Sequence, residues 1–302
     1  HYQLNLNLVK ENFGENHREL FYVYNSLGSI YYTLGDFGTA ADHFLRAIDI
    51  AEKNRGWLED NYASALNNAA GSYYRMNNID RSLELLEEAQ RIKEQTLGPE
   101  HPKTAFGYAN LSVLYMQNGN SEAAIENARL SVDVRRNIFG DVHPDLVFPI
   151  IQLGNILVEI GDHEEGRDQY REAASIVRME LGPNHPKLWN ILIKTGKSFV
   201  SQNRLEEAKD HFSRAINMMT GHPPGEVSVE EDLEQISHPF YYLDALKALA
   251  ETELQIFEQD GIQSSLLRSF DLFEKASDAI DYLQFRYRSE ASKLNLIDNN
   301  YT

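Results

Sequence analysis

Apolar residues recur three and four positions apart along most of the chain, as in Leu27, Ile30, Tyr31 and Leu34, or Leu111, Leu114 and Tyr115. That spacing gathers them on one stripe of an α-helix, and strand-like alternation is sustained nowhere. The stripes are broken on a fixed period. Gly14, Gly56, Gly98, Gly140 and Gly182 stand 42 residues apart. A second set of breaks, at Gly35, Asn77, Gly119, Gly161 and Asn203, advances by the same 42. Two breaks per period predict two helices per period, an antiparallel pair joined by a short turn.

Inside each pair, small and large residues hold register. The first period has Leu27, Gly28, Tyr31, Ala40, Phe44 and Ala47; the fifth has Thr195, Gly196, Phe199, Ala208, Phe212 and Ala215. Small residues let two helices approach, and the large ones fill the hole beside them. This pattern resembles the tetratricopeptide repeat, in the 42-residue form of kinesin light chains that is also abundant in bacterial proteins. The resemblance implies an all-α fold, a right-handed α-α superhelix of about six helical hairpins plus an N-terminal half repeat. On that reading 1–302 is a single solenoid. It comprises a half repeat (1–14), repeats at 15–56, 57–98, 99–140, 141–182 and 183–219, an acidic insertion (220–238), and a C-terminal helical pair with linker (239–302). The last pair is expected near 239–259 and 262–290. Residues 3–12 read as the second helix of an earlier repeat.

One phrase invites a chemical reading. Gly-x-x-His-Pro returns at Gly98, Gly140 and Gly182, carrying His101, His143 and His185. A zinc ion needs nitrogens at about 2 Å on several sides of one point, and histidines spaced one per repeat do not converge so. Punctuation explains each letter: Gly ends a helix in a left-handed conformation, His caps the next, and Pro at its first position needs no donor. No metal or cofactor is expected. Cysteine is absent, so neither a disulfide nor a cysteine nucleophile exists in these residues. No phosphate-cradling glycine loop and no paired Ser, His and Asp arrangement stands out, so no catalytic residue is assigned.

The net charge of -18 weighs against nucleic acid and against anionic lipid, and leaves a neutral or basic protein partner. The longest apolar runs are too short and broken to span a bilayer, and no leader opens the chain, which places the protein in the cytoplasm, a removed leader aside.

Stacked helix pairs curve, and the first helix of each pair lines the concave side. Five rows then face that side. They are Tyr22, Ser64, Phe106, Phe148 and Asn190; Asn25, Asn67, Ala109, Ile151 and Ile193; Ser26, Asn68, Asn110, Gln152 and Lys194; Ser29, Gly71, Val113, Asn155 and Lys197; and Tyr32, Tyr74, Met116, Val158 and Val200. Asn67, Asn68 and Asn110 resemble the family's Leu-Asn-Asn-Leu-Ala segment, whose asparagines bind the backbone of an extended peptide. An amide offers donor and acceptor together, so it pairs with a peptide group whatever that residue's side chain. The candidate protein- or peptide-binding set is Asn25, Asn67, Asn68, Tyr74, Phe106, Asn110, Phe148, Asn155 and Lys197. The apolar residues Phe106, Phe148, Ile151, Val113 and Met116 either bury against neighbouring helices or the insertion, or form a pocket for an anchor side chain. Pro149 removes a backbone donor and is expected to distort its helix. One role open to the insertion is that of a lid over the groove.

Residues 270–296 end in "YRSEASKLNL". Ser292, Lys293 and Leu296 there resemble the junction that leads from tetratricopeptide repeats into a CHAT domain, a caspase-like cysteine protease. The resemblance implies a non-enzymatic, partner-sensing arm of such a protease. The alternatives are a terminal capping helix on a stand-alone adaptor of the kinesin light chain kind, and a sensor arm of a kinase or other signalling enzyme.

Overall fold

The computed structural model describes residues 10–54, 56, 59–224 and 229–298. Among these every regular element is an α-helix. The chain divides into two compact units, His1–Ile160 and Gly161–Thr302.

Unit 1 holds α1 (Glu19–Thr33), α2 (Phe37–Lys53), α3 (Glu59–Arg75), α4 (Ile79–Leu97), α5 (Pro102–Gln117), α6 (Ser121–Phe139) and α7 (Pro144–Glu159). Each packs on the next in chain order, and α1 touches α3 as α5 touches α7. This is a solenoid's contact pattern, in which no helix pair shelters its own apolar stripe and neighbours must supply the cover. The core runs through Leu20, Phe44, Leu66, Leu86 and Leu114 without a break. Phe44 fills the space beside Gly28, where a Cβ would lie 2.6 Å from the ring.

The turns are built as the period requires. Gly35, Asn77 and Gly119 adopt positive φ. The next residue caps the following helix through its side chain: Asp36 accepts from the Thr39 N–H (3.1 Å), Asn78 from Arg81 (3.2 Å) and Asn120 from Ala123 (3.1 Å). Between pairs, Gly98 and Gly140 end α4 and α6 with φ of 89° and 83°. Their ψ values of 158° and -179° correct the expected left-handed cap. This is the extended mirror region, open essentially to glycine alone. α7 runs through Pro149 without interruption.

Unit 2 holds α8 (His163–Glu180), α9 (Pro186–Val200), α10 (Leu205–Thr220), α11 (Val229–Gln235), α12 (Pro239–Asp260) and α13 (Gln263–Asp298). α8 packs on α9, α9 on α10, α10 on α12 and α12 on α13. Gly196 receives the Phe212 ring as Gly28 receives Phe44, with a Cβ position 2.5 Å from it. The last helix runs to Asp298, past the expected end near 290. The insertion is not a plain loop. α11 buries Val229, Leu233 and Ile236 in one cluster with Trp189, Ile193, Tyr242 and Leu246. Asp232 on α11 accepts from the Tyr242 hydroxyl and lies 2.8 Å from His222 Nε2. That bond and burial push the Tyr242 hydroxyl far above its ordinary pKa, burial being the larger cause. Residues 225–228 of the insertion, and 3–9 of the half repeat, lie outside the described residues; 10–13 are helical.

Candidate functional site

The histidines of the repeated phrase are structural. In His101, His143 and His185 the Nδ1 atom accepts the N–H two residues on, from Lys103 (3.1 Å), Asp145 (3.2 Å) and Lys187 (3.2 Å). Each imidazole thereby satisfies one of the donors left open at a helix start, and Pro fills the first helical position.

The rows of the first helices in unit 1 are half-buried to exposed on α1, α3, α5 and α7, apart from Ala109 and Ile151. Neighbouring helices are stitched along this stripe by uncharged groups. Asn68 Nδ2 donates to Asn25 Oδ1 (3.0 Å). Gln117 Nε2 donates to the Tyr74 hydroxyl (3.0 Å). Asn61 Nδ2 donates to the Tyr22 hydroxyl (3.3 Å). On α7, Asn155 Nδ2 donates to Gln152 Oε1 (2.9 Å).

Between α3 and α5 the stripe opens into a cavity of ≈ 240 Å³. Asn67, Gly71 and Tyr74 line it from α3 and Asn110, Val113 and Leu114 from α5, with Ala70, Ser82 and Leu86 completing the lining. Three of the candidate residues, Asn67, Tyr74 and Asn110, are thus brought to one place. Asn67 Oδ1 is buried and accepts no hydrogen bond. A buried acceptor left unpaired costs about 1–3 kcal/mol, which a ligand N–H can return. Asn25 and Asn68 occupy each other instead.

Phe106 and Phe148 remain solvent-facing, 49% and 52% exposed, at equivalent positions of α5 and α7; Tyr22 is 48% exposed at the same position of α1. The apolar members of the next row behave otherwise. Ile151 in unit 1 is buried, which resolves its alternatives to core packing, and Ile193 in unit 2 is buried too. Lys197, in unit 2, is held by Asp244 at 2.8 and 2.9 Å. Beside it, burial, and then the Lys197 charge, pull the Lys194 ammonium below its ordinary pKa.

No charged residue occupies any of the five rows on α1, α3, α5 or α7. In a chain with 25% charged residues, that is a marked depletion along one face. The residues that sequence reasoning missed are those of the cavity's far wall. Ser82 and Leu86 come from the second helix of the pair, and they were legible only as packing positions. Among the described residues no group of His, Asp and Glu is placed to hold a metal ion, and no helix is long and apolar enough to cross a membrane.

Known proteins of similar structure fit this picture. A kinesin light chain-like repeat protein from P. anserina superposes with a TM-score of 0.62 at 18% identity, covering 68% of this chain and 97% of that one. BtubC from P. vanneervenii gives 0.61 at 18%, covering 75% and 91%. A Rap protein complexed with the competence and sporulation factor gives 0.55 at 15%, covering 97% and 78%. At these identities the likeness is one of fold. No curated protein matches the chain in sequence. The tetratricopeptide repeat model matches residues 1–53, 61–137 and 147–220, more than half of the chain. With its helix pairs, its turns and its small-against-large packing, this protein belongs to the tetratricopeptide repeat family.

Proposed function

We propose that the protein is a non-catalytic scaffold that holds an extended peptide, or an extended segment of a protein, along the first-helix stripe of unit 1. The observation that carries this reading is the amide pair Asn67 and Asn110 on opposite walls of one cavity, with the Asn67 carbonyl oxygen buried and unpaired. Amides there pair with peptide N–H and C=O groups, and the exposed rings of Phe106 and Phe148 offer apolar contact beside them. Tyr74, already bonded to Gln117, borders the same space. A tetratricopeptide scaffold suits protein–protein interaction, and one structure of like fold is a Rap protein complexed with the competence and sporulation factor.

The test uses ligands selected on the wild-type protein from a displayed random-peptide library. Asn67→Ala with Asn110→Ala is expected to weaken a selected peptide about 10- to 100-fold, since each lost hydrogen bond contributes roughly 0.5–1.5 kcal/mol. The circular dichroism spectrum should stay unchanged. Unaltered affinity in a folded double variant removes the assignment.

The finer reading is a regulatory arm of a CHAT-type, caspase-like protease. Its support is the phrase within residues 270–296, which α13 carries as one continuous helix. The side chains of Ser292, Lys293 and Leu296 lie outside the described residues. This chain has no cysteine, so the catalytic pair would follow Thr302. Sequencing the intact gene past that residue is expected to show a His and then a Cys at caspase-like spacing. A kinase phrase there, or a stop, returns the chain to a kinase sensor or a stand-alone adaptor.

A further inference from the structure

We infer that the unit 1 stripe selects an uncharged extended segment and anchors it by one medium-sized aliphatic side chain, Leu, Ile or Met, seated in the cavity over Gly71. The inference rests on the peptide-binding reading above and specifies its ligand. Three observations meet here.

The first is charge. The five rows on α1, α3, α5 and α7 carry amides, hydroxyls, aromatic rings and aliphatic groups, and no Lys, Arg, Asp or Glu. The protein as a whole has a net charge of -18. A groove meant for a basic ligand would place some of those carboxylates where the ligand lies, since opposite charge steers encounter and fixes register. This one keeps them away. A charged residue entering the stripe would give up part of its hydration and find no opposite charge in these rows.

The second is size. The cavity measures ≈ 240 Å³. That lies below the roughly 300–1,000 Å³ of sites for small molecules and cofactors. It suits a single side chain. Val113, Leu114, Ala70 and Leu86 in its lining are apolar, and the amides of Asn67 and Asn110 complete the set. An aliphatic side chain fills such a space while the peptide groups on either side of it meet the amides.

The third is Gly71. Gly inside a helix is less favourable than Ala. At Gly28 and Gly196 packing explains it, because a Cβ would strike a phenylalanine ring. At Gly71 nothing does. Its Cβ would meet only Tyr32, at 3.9 Å, an ordinary contact. Its φ is not among the positive values. The fold gives up helix stability at this position without needing the space for itself. The space is kept for something that arrives.

The experiment is selection of heptapeptides from a displayed random library on the wild-type protein and on Gly71→Met. Enriched peptides should centre on Leu, Ile or Met with uncharged neighbours. A synthetic peptide of that consensus should bind with less than about two-fold change between roughly 50 and 500 mM NaCl, because there is no ion pair to screen. Gly71→Met should weaken it at least about ten-fold by filling the cavity, while the unfolding midpoint holds or rises. Val113→Phe, from the opposite wall, should act alike and guards against an effect peculiar to one helix. If no peptide is enriched at all, the peptide-binding reading itself fails. If peptides are enriched but carry acidic or basic residues, lose affinity steeply with salt, or bind Gly71→Met as well as wild type, this inference fails and the broader reading stands.

Discussion

Gly196→Ala is expected to destabilise unit 2 by about 1–3 kcal/mol, and Phe212→Leu in the same chain to recover much of that loss. The added methyl would lie 2.5 to 2.9 Å from three atoms of the Phe212 ring, which is fully buried. No contact that short survives, so the ring or the helix must move. The change also carries a gain, since Ala favours helix over Gly by about 1 kcal/mol, but the gain is smaller than the clash. Truncating the ring makes room. Unit 1 already contains the relaxed solution, because the α3–α4 pair has Ala70 and Leu86 at the equivalent positions. Phe212→Leu alone should cost stability by leaving a void, so the two substitutions should couple favourably. Urea titration of the four proteins in the cycle measures this. Strict additivity would mean that the helices separate freely at this crossing, against the packing argument.

Removing both cations around Glu253 should cost more, about 3–5 kcal/mol. Glu253 on α12 is wholly buried. Lys209 of α10 approaches its Oε1 to 3.0 Å and Arg268 of α13 to 3.4 Å. Neither carboxylate oxygen accepts an aligned hydrogen bond, so the group is held by charge alone. Lys209→Met with Arg268→Met strands an anion in the core. Glu253→Met, by contrast, leaves two cations whose side chains are 26% and 43% exposed and able to turn toward water. It should therefore be the milder change. The triple replacement should approach wild-type stability, as apolar substitutes for buried ion pairs often do. Thermal unfolding of these variants ranks them. A double-cation variant within about 1 kcal/mol of wild type would show that Glu253 needs no compensation.

The repeat was legible because a helix buries every third or fourth residue and a turn needs a special residue. Neither depends on what lies far away in the chain. Gly35, Asn77 and Gly119 marked turns by residue type and spacing; the structure adds that each takes a positive φ. The three histidines announced a helix start because Pro stands beside them. Counting by 42 put Asn67 and Asn110 in adjacent rows, and a cavity opens between them.

Other features waited for neighbours. Phe106 and Ile151 are equally apolar and sit in adjacent rows, yet one is exposed and the other is core. Which is covered depends on the helix that packs over it. Lys197 reads as a free cation in a row, but Asp244 claims it from 47 residues away, beyond the point where the period slips. The insertion reads only as acidic and rich in Pro and Gly. Its helix folds because Val229, Leu233 and Ile236 find Trp189, Ile193 and Leu246. The sequence by itself determined the helices, their pairing and their caps, all settled within one or two turns of chain. Only the tertiary structure decided which faces are closed, which charges are spent on each other and where a space is left open, because those are outcomes of contact between segments that local pattern does not couple.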